Sequence, residues 1–266
     1  MDNGHAYIEG NKIHLPSIGK VKLSESLRFK GKIMGYTVST YAGQWHVSVQ
    51  VEVPEAKREC LNESSIVGID VGLHHIAAAS DGTTLDAPKS LKRLDVKLRN
   101  TQRALTRSQR NSKNHQKLLL KKQKVQNRIN NIRSDVTHKF TSTITKNHGI
   151  VVVEDLNIRG MMKKAKSRKK RRNLSQSLMG IVISQLSYKA REVRKVDRYF
   201  PSSKLCSLCG HKKPHLGLQE RTYKCEHCGA VLDRDYNAAI NLCKAGTVSP
   251  GVPVETTDDH RSAAVA

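Results

Sequence analysis

The chain has 266 residues, and its 47 Lys and Arg against 23 Asp and Glu give a formal net charge of +24. A balance of this size favours a polyanionic partner, usually nucleic acid, because each neutralised phosphate releases a counterion. We find no apolar run near the ~18 residues of a membrane span and no signal-peptide core after Met1, which argues against membrane and secreted proteins. We therefore expect a soluble, cytoplasmic protein that makes no membrane contact.

The N-terminal part of the chain has the alternating pattern of β-strands. Apolar residues recur at every second position from Met34 to Thr40 and from Trp45 to Val53, and Ala42-Gly43 stands between the two runs. This predicts a hairpin within a partial β domain at residues 1–55. Residues 55–64 lack either period and read as a linker.

Two buried strands are predicted to end in a carboxylate. The run 66–71 contains Asp70, and the β-branched run 150–153 is followed by Glu154. Two short strands follow the first run, around the turn Asp81-Gly82. Residues 88–148 have helical periodicity, and the polar stretch 107–114 divides them into two helices. In α/β sheets, sites form at the carboxyl ends of the strands.

Basic residues cluster on the predicted helices and in residues 163–172, where eight of ten are Lys or Arg. We expect residues 163–172 to be a loop or a helix entry. The cluster is either a solvated face or a surface that contacts phosphates. The candidate nucleic-acid contacts are Lys121, Lys122, Lys163, Lys164, Lys169, Lys170, Arg171 and Arg172.

Four cysteines near the C-terminus have the spacing of a zinc site. Cys206 and Cys209 form one C-x-x-C pair, Cys225 and Cys228 form another, and fifteen residues separate the pairs. Two such turns supply the four thiolates of a tetrahedral zinc, which leaves no open position for catalysis. We therefore predict a structural zinc, and we read the nearby His211, His215 and His227 as surface residues.

A third carboxylate, Asp235, follows the cysteines at the predicted start of a helix. Cleavage of a phosphodiester with two metal ions needs acids that hold hard cations ~3.5–4 Å apart. Asp70, Glu154 and Asp235 are suited to this role together, although each alone is a weak signal.

The sequence resembles the TnpB (OrfB-type) proteins of bacterial insertion sequences, which are RuvC-like nucleases related to the type V CRISPR effectors. The resemblance covers residues 8–242 and rests on the following motifs: Gly68-Ile69-Asp70-Val71-Gly72-Leu73, Ser80-Asp81-Gly82, Val152-Val153-Glu154-Asp155-Leu156-Asn157, Asp197-Arg198-Tyr199-Phe200-Pro201-Ser202-Ser203-Lys204, both cysteine pairs, and Asp233-Arg234-Asp235 with Asn237-Ala238-Ala239.

The resemblance implies an α/β fold of the RNase H-like (RuvC) type: a mixed sheet with a long helical hairpin insertion, an inserted zinc ribbon and an N-terminal partial wedge barrel. It places the nuclease core at 65–200 with the insertion at 88–148, the ribbon at 201–230 and the third RuvC motif at 231–243. We expect a disordered tail at 244–266. The resemblance further implies Mg²⁺ on Asp70, Glu154 and Asp235, with DNA and a guide RNA as partners and association with the nucleoid.

Three functions remain open from the sequence. The first is an RNA-guided DNA endonuclease of a mobile element, a protein long described as a transposase. The second is a protein that binds DNA or RNA without cutting, which is favoured by the expectation that the chain lacks an N-terminal region of the family. The third is a structural zinc-ribbon protein such as a ribosome-associated factor, which would not need the two acids on buried strands.

Overall fold

The structure is a computed structural model that describes residues 7–16, 18–29, 31–53, 60–72, 75–217, 219–248 and 254–255. Leu73 of the first motif and part of the predicted linker and tail lie outside this description, as do the side chains of Lys169 and Arg172. The described residues form two compact units. One unit is drawn from 1–58 and 98–127, and the other from 59–97 and 128–257.

The first unit contains two small antiparallel sheets. Their strands are β1 (Tyr7–Glu9), β2 (Lys12–Leu15), β3 (Gly19–Lys22), β4 (Lys32–Tyr41) and β5 (Gln44–Glu52). Ala42 and Gly43 have φ angles of 54° and 78° between β4 and β5. Positive φ at both central residues is the geometry of a type I′ turn, which suits the twist of a hairpin. The predicted hairpin is therefore confirmed.

The second unit contains the main sheet and a small hairpin. Its strands are β6 (Ile66–Asp70), β7 (Ala77–Ala79), β8 (Thr84–Leu85), β9 (Ile150–Glu154), β10 (Glu192–Val196), β11 (Thr222–Lys224), β12 (Val231–Asp233) and β13 (Val254–Glu255). The main sheet has the order β13-β10-β9-β6-β7-β8. The central strands β10, β9 and β6 are parallel, and the remaining pairings are antiparallel. The predicted mixed α/β class is confirmed.

Six helices complete the described fold: α1 (Lys89–Arg107), α2 (Lys113–Asn147), α3 (Ile158–Lys164), α4 (Arg168–Gln176), α5 (Met179–Lys189) and α6 (Arg234–Val248). Residues 98–107 of α1 and 113–127 of α2 belong to the first unit. The break between these two helices falls in the predicted polar stretch. Within the described residues, no helix combines the length and the apolar character that a bilayer span requires.

One face of the main sheet packs against α2 and α5. Val67 and Ile69 of β6 and Val151 and Val153 of β9 point to this side, where all four are essentially inaccessible to solvent. The helices contribute apolar side chains to the same cluster: Phe140, Ile144, Val182 and Leu186. Parallel strands that are buried on both faces have nearly continuous β-branched runs, and for this reason the sequence pattern predicts the positions of β6 and β9.

A buried polar group also joins α2 to α5. Gln185 of α5 accepts a hydrogen bond from the Thr141 hydroxyl at 3.0 Å and donates one to Thr137 Oγ1 at 3.1 Å. The Lys189 ammonium donates to the Thr141 hydroxyl at 2.8 Å and to the carbonyl of His138 at 3.1 Å. Each polar group has a partner, so the register of α5 along α2 is fixed without an unpaired buried amide.

The opposite face of the sheet is covered by α6. A Cβ built on Gly68 of β6 would lie 2.1 Å from the carbonyl oxygen of Ala239 and 2.4 Å from the backbone nitrogen of Cys243. A Cβ built on Gly246 would lie 2.4 Å from a methyl carbon of Val152 on β9. The helix backbone therefore rests directly on two neighbouring parallel strands, and only glycine leaves room for it.

Two predictions about local structure are refined by the structure. The basic stretch 163–172 is predicted to be a loop or a helix entry; residues 168–172 begin α4 as a helix entry would, residues 165–167 connect the helices, and only 163–164 belong to the end of α3. Ser167 caps α4 by accepting from the Lys170 N–H at 3.1 Å. Leu174 and Ala165 are buried in the sheet core, which holds both helices in place.

The expected disordered tail at 244–266 begins too early. Helix α6 continues to Val248, because Gly246 packs on Val152 and its carbonyl accepts from Arg194 Nη1 at 2.7 Å. Val254 and Glu255 pair with β10. The other residues of the predicted tail, 249–253 and 256–266, lie outside the described part of the chain.

We predict that Gly68→Ala destabilises the protein by about 3 kcal/mol or more, since overpacking a core costs ~1–3 kcal/mol and the obstructing atoms here are helix backbone. Chemical denaturation followed by circular dichroism would measure this change in the free energy of unfolding. Gly180→Ala in α5 is the matched control, because its nearest neighbour would be at an ordinary 3.6 Å. Equal stability of the two variants would contradict the close packing of α6.

Candidate functional site

The alternation of side chains along β6 and β9 places two carboxylates on the α6 side of the sheet. Successive side chains of a strand point to opposite faces. Asp70 is two residues beyond Gly68, and Glu154 is two residues beyond Val152, so both acids share the face on which α6 rests. Because β6 and β9 are parallel and in register, with Ile69 opposite Val153, the two acids lie at adjacent strand ends.

The first turn of α6 supplies a third carboxylate. Asp233 Oδ1 accepts from the backbone N–H groups of Asp235 and Tyr236, both at 2.9 Å, and so caps the helix. Four residues of helix from Ala239 back to Asp235 cover about 6 Å. Two residues of strand from Gly68 to Asp70 cover about 6.6 Å. The close contact at Gly68 therefore places Asp235 level with Asp70.

The charges of these acids act on one another. Burial raises the pKa of Asp70 to about 7, and repulsion from Asp235 and then from Glu154 adds to the effect of burial. Burial also raises the pKa of Glu154, with contributions from Asp155 and Asp197. All three acids remain partly exposed. A bound cation would relieve this repulsion, and carboxylate oxygens are the ligands that Mg²⁺ prefers.

A second set of contacts surrounds Glu154. The Arg198 guanidinium donates to Asp155 Oδ2 at 2.6 Å, and the Asp155 N–H donates to the carbonyl of Val196 at 2.9 Å. These bonds join the ends of β9 and β10. Asp197 Oδ1 accepts from the N–H of Tyr199 at 2.8 Å, in a turn that leaves the Tyr199 side chain exposed. Beyond the place of Asp155 and Arg198 in two motifs, no sequence pattern predicts that they pair.

The four cysteines meet in one cluster. Their sulfur atoms all lie within 4.8 Å of one another, and the sulfurs of Cys206 and Cys228 are 3.6 Å apart. The sulfurs of Cys209 and Cys225 are 3.5 Å apart. A tetrahedral zinc with bonds of ~2.3 Å spaces its sulfurs about 3.8 Å apart, so the donor set fits zinc. Among the described residues, Asp70, Glu154 and Asp235 are not gathered this tightly.

Each cysteine pair forms the same turn. The N–H of Gly210 donates to the carbonyl of Cys206 at 2.9 Å, and the N–H of Gly229 donates to the carbonyl of Cys225 at 3.1 Å. Both glycines have positive φ, 76° and 73°. The Cys228 N–H points at the sulfur of Cys225 and lowers the pKa of that thiol to about 6. This favours thiolate, the form that binds a metal, at Cys225. Burial and the neighbouring sulfurs raise the pKa of Cys209, and the neighbouring sulfurs help to raise the pKa of Cys228.

The region around the cysteines has a very small core. Cys206, Leu216, Tyr223 and Cys225 form it, and the Tyr223 hydroxyl donates to the carbonyl of Lys204 at 3.2 Å. So few buried residues cannot stabilise a fold without a metal or another staple. His211 and His227 stack with ring centroids 5.7 Å apart and lie outside the cluster of ligand atoms.

This region continues directly into α6. Strand β12 pairs with β11 and ends at the capping residue Asp233. The Arg234 side chain donates to the carbonyl of Gly217 at 3.0 Å, and its N–H donates to the carbonyl of Arg221 at 2.8 Å. Asn237 and Asn241 are buried polar residues on the same helix. In the sequence, Asn237 is recognisable only as part of a motif, and no pattern singles out Asn241.

The described basic candidates are accessible to solvent. Lys163, Lys164, Lys170 and Arg171 are exposed on α3 and α4, which follow Glu154 in the chain. Lys121 is exposed on α2, and the adjacent Lys122 is partly exposed. Lys169 and Arg172 have no described side chains, so their predicted contacts lie outside the description.

Comparisons with known proteins match the segments that carry these features. Residues 46–165 match the family OrfB_IS605, described as "Probable transposase". Residues 180–242 match the "Cas12f1-like, TNB domain". The first match contains Asp70 and Glu154, and the second contains the cysteines and Asp235.

Several curated proteins are similar over most of the chain. "Putative RNA-guided DNA endonuclease InsQ" of Escherichia coli is 32% identical over 90% of this chain and 63% of its own length. A "Putative RNA-guided DNA endonuclease" of Streptomyces pristinaespiralis is 36% identical over 77% of this chain and 50% of its own length. A similarly named protein of Mycobacterium tuberculosis is 31% identical over 91% of this chain and 57% of its own length. The chain thus spans between half and two thirds of these relatives.

We predict that Asp70→Asn raises the melting temperature at pH 8 in EDTA. The pKa of Asp70 is 3.8 in the unfolded chain and about 7 in the folded protein. Ionisation of this carboxyl therefore lowers the free energy of unfolding as the pH rises from 3.8 to about 7. Asparagine removes the loss, and about 1 kcal/mol corresponds to a shift of about 2–4 °C at this size. Differential scanning calorimetry at pH 5 and pH 8 would measure it.

The difference should shrink at pH 5, where the folded carboxyl is already protonated. Asp135→Asn is the control, since Asp135 is an exposed carboxylate paired with Lys139 at 2.9 Å. If Asp70→Asn has the same melting temperature as the parent at pH 8, burial and repulsion from the neighbouring carboxylates do not destabilise the ionised Asp70.

Proposed function

The chain belongs to the TnpB (OrfB) family of insertion-sequence proteins, and from this membership we propose that it is a Mg²⁺-dependent DNA endonuclease with a RuvC-type site. The observation that carries the proposal is the convergence of Asp70, Glu154 and Asp235 on the α6 side of two parallel strand ends. A mixed sheet with parallel central strands, crossed by a helix that brings the last acid, is compatible with the RNase H-like fold proposed here.

In this proposal the three carboxylates hold the cations by charge and by placement. Two bound Mg²⁺ ions would supply activation of a water and stabilisation of the leaving oxygen of the phosphodiester. Asp70 and Glu154 are fixed by strand pairing, and Asp235 is fixed by the capped first turn of α6. Because the backbone positions of the three acids are set before a cation binds, the contribution of the protein would be electrostatic preorganisation.

We propose DNA as the substrate and RNA as the guide, as the names of the relatives state for those proteins. The exposed basic side chains of α3 and α4 support a polyanionic partner next to the acidic site, because α3 begins four residues after Glu154. Aromatic residues make up only 4% of the chain, so contacts to the backbone are favoured over extensive base stacking. We also propose a structural zinc on the four cysteines.

We predict that Asp235→Ala and Asp235→Asn abolish Mg²⁺-dependent cleavage while DNA binding stays within about twofold. The loss should exceed about 100-fold, since even outer partners of metal ligands contribute 10–100-fold. Labelled single- and double-stranded DNA, incubated in Mg²⁺ or EDTA with and without co-purified RNA, would report cleavage, and gel shifts would report binding. Asp135→Asn is the control and should cut normally.

Two outcomes would count against the nuclease. Cleavage that persists in a clean Asp235→Ala preparation would refute the site. A parent protein that binds DNA or RNA but cuts neither under any of these conditions would favour the alternative function, a binding protein without nuclease activity.

We predict that replacing four exposed basic residues of α3 and α4, namely Lys163, Lys164, Lys170 and Arg171, by Ala lowers the salt dependence of DNA affinity. Each lost phosphate contact reduces the slope of log K against log salt by ~0.9 on duplex DNA. The slope measured by fluorescence anisotropy should fall by ~2–4. A control with the same change of net charge replaces exposed lysines at other positions: Lys12, Lys22, Lys139 and Lys146. Equal slopes for the two quadruple variants would remove α3 and α4 from the interface.

A further inference from the structure

A buried amide joins α6 to the first cysteine turn. Asn237 is fully buried. Its Oδ1 accepts from the N–H of Ser207 at 2.9 Å, and its Nδ2 donates to the carbonyl of Leu205 at 2.7 Å. These two backbone groups flank Cys206, so one side-chain amide holds the chain on both sides of a metal ligand.

The same helix face makes three more bonds to this segment. Asn241 Nδ2 donates to the carbonyls of Leu205 and Ser202, both at 2.8 Å. The Lys244 ammonium donates to the carbonyl of Ser207. Positions 237, 241 and 244 are four and three residues apart, which is the spacing of one helix face. We call these three side chains the α6 polar stripe.

Asp235 lies two residues before Asn237, in the first turn of α6. Its position along the helix is therefore fixed relative to Asn237, and Asn237 is fixed relative to Cys206. The apolar contacts of α6 at Gly68 set how close the helix lies to the sheet, while the stripe sets its rotation and its position along its own axis.

We propose that Asn237, supported by Asn241 and Lys244, is a positioning residue that couples the zinc site to the carboxylate site. Zinc fixes the turn at Cys206, the polar stripe fixes α6 to that turn, and Asp235 is held at the place where it meets Asp70. The proposal rests on the proposed function for its consequence, which is that loss of zinc weakens divalent-cation binding at the carboxylates. Because coupling between two sites is reciprocal, occupancy of the carboxylates also tightens zinc.

The first test measures the order of α6 directly. Hydrogen exchange with mass spectrometry would compare peptides covering residues 234–241 in zinc-loaded and zinc-stripped protein. Removal of zinc should speed exchange by about 10-fold or more in the parent. With zinc bound, Asn237→Leu should exchange about as fast as the zinc-stripped parent. Removal of zinc from this variant should accelerate exchange little further, because two perturbations of the same coupled interaction are not additive.

The second test measures the consequence, with Mn²⁺ as the probe. The dissociation constant of Mn²⁺, from the electron paramagnetic resonance signal of the free ion, should rise on the order of 10-fold in Asn237→Leu, as expected when an outer partner of a metal ligand is lost. Zinc content, measured by mass spectrometry of the metal, shows whether the cysteine site is still filled. Lys244→Met, a change on the exposed side of the stripe, should give a smaller rise of about two- to threefold without risk to the fold.

The matched control is Gln185→Leu, which removes a buried amide that makes two hydrogen bonds on the other face of the sheet. It should lower the melting temperature about as much as Asn237→Leu but leave Mn²⁺ affinity unchanged. Exchange at 234–241 that ignores zinc removal would overturn the proposal, as would additive effects of zinc removal and Asn237→Leu.

The outcomes separate this proposal from the proposed function. If the parent binds no Mn²⁺ at a site that Asp70→Asn abolishes, the proposed metal site fails, and hydrogen exchange alone decides the coupling. If Mn²⁺ binds but responds to neither zinc nor Asn237, the metal site stands and the coupling is refuted.

Discussion

The contact between the backbone of α6 and the backbone of β6 at Gly68 is the constraint on which the rest of the second unit depends. A helix that touches a strand backbone cannot shift sideways without losing that contact. Here the contact lies two residues before Asp70 and one helical turn after Asp235. The separation of two acids that are far apart in the sequence is therefore set by one glycine. A second close contact, between Gly246 of the helix and the Val152 side chain of β9, fixes the helix axis at another point.

This packing brings carboxylates of like charge together, and their surroundings determine how strongly they repel one another. Asp70 is at the end of a central strand, where burial and the neighbouring acids raise its pKa to about 7. Arg234, beside Asp235, acts in the opposite direction on the same carboxyl. Asp233 caps the first turn of α6, on which Asp235 stands. The uncompensated part of the repulsion is what the proposed divalent cation would remove, so binding of that cation would stabilise the fold.

Much of this site could be predicted from the sequence, because some residues carry their own signal. Four cysteines in two C-x-x-C pairs define a metal site by spacing alone. The acids at 70 and 154 follow short runs rich in Ile and Val, which are typical of buried parallel strands. Other features give no such signal. Gly68 reads as an ordinary strand glycine until the helix that lies on it is known, and the register of Asn237 on the cysteine turn depends on contacts 30 residues away in sequence. The charge of the basic stretch at 163–172 gives no sign that Ala165 within it, and Leu174 just after it, are buried in the core of the sheet.

The choice of polar side chains between α6 and the cysteine turn has a physical reason. An apolar seam would bury similar area, but dispersion and the hydrophobic effect are not directional, and such a seam tolerates small slides along the helix axis. A buried amide that serves one N–H and one carbonyl tolerates very little, since a shift leaves polar groups unpaired at a cost of ~1–3 kcal/mol each. Fixed register is what the placement of Asp235 requires. The buried amide of Gln185 fixes the register of α5 on α2 in the same way. No candidate acid lies on those two helices, whereas the helix that Asn237 positions carries Asp235.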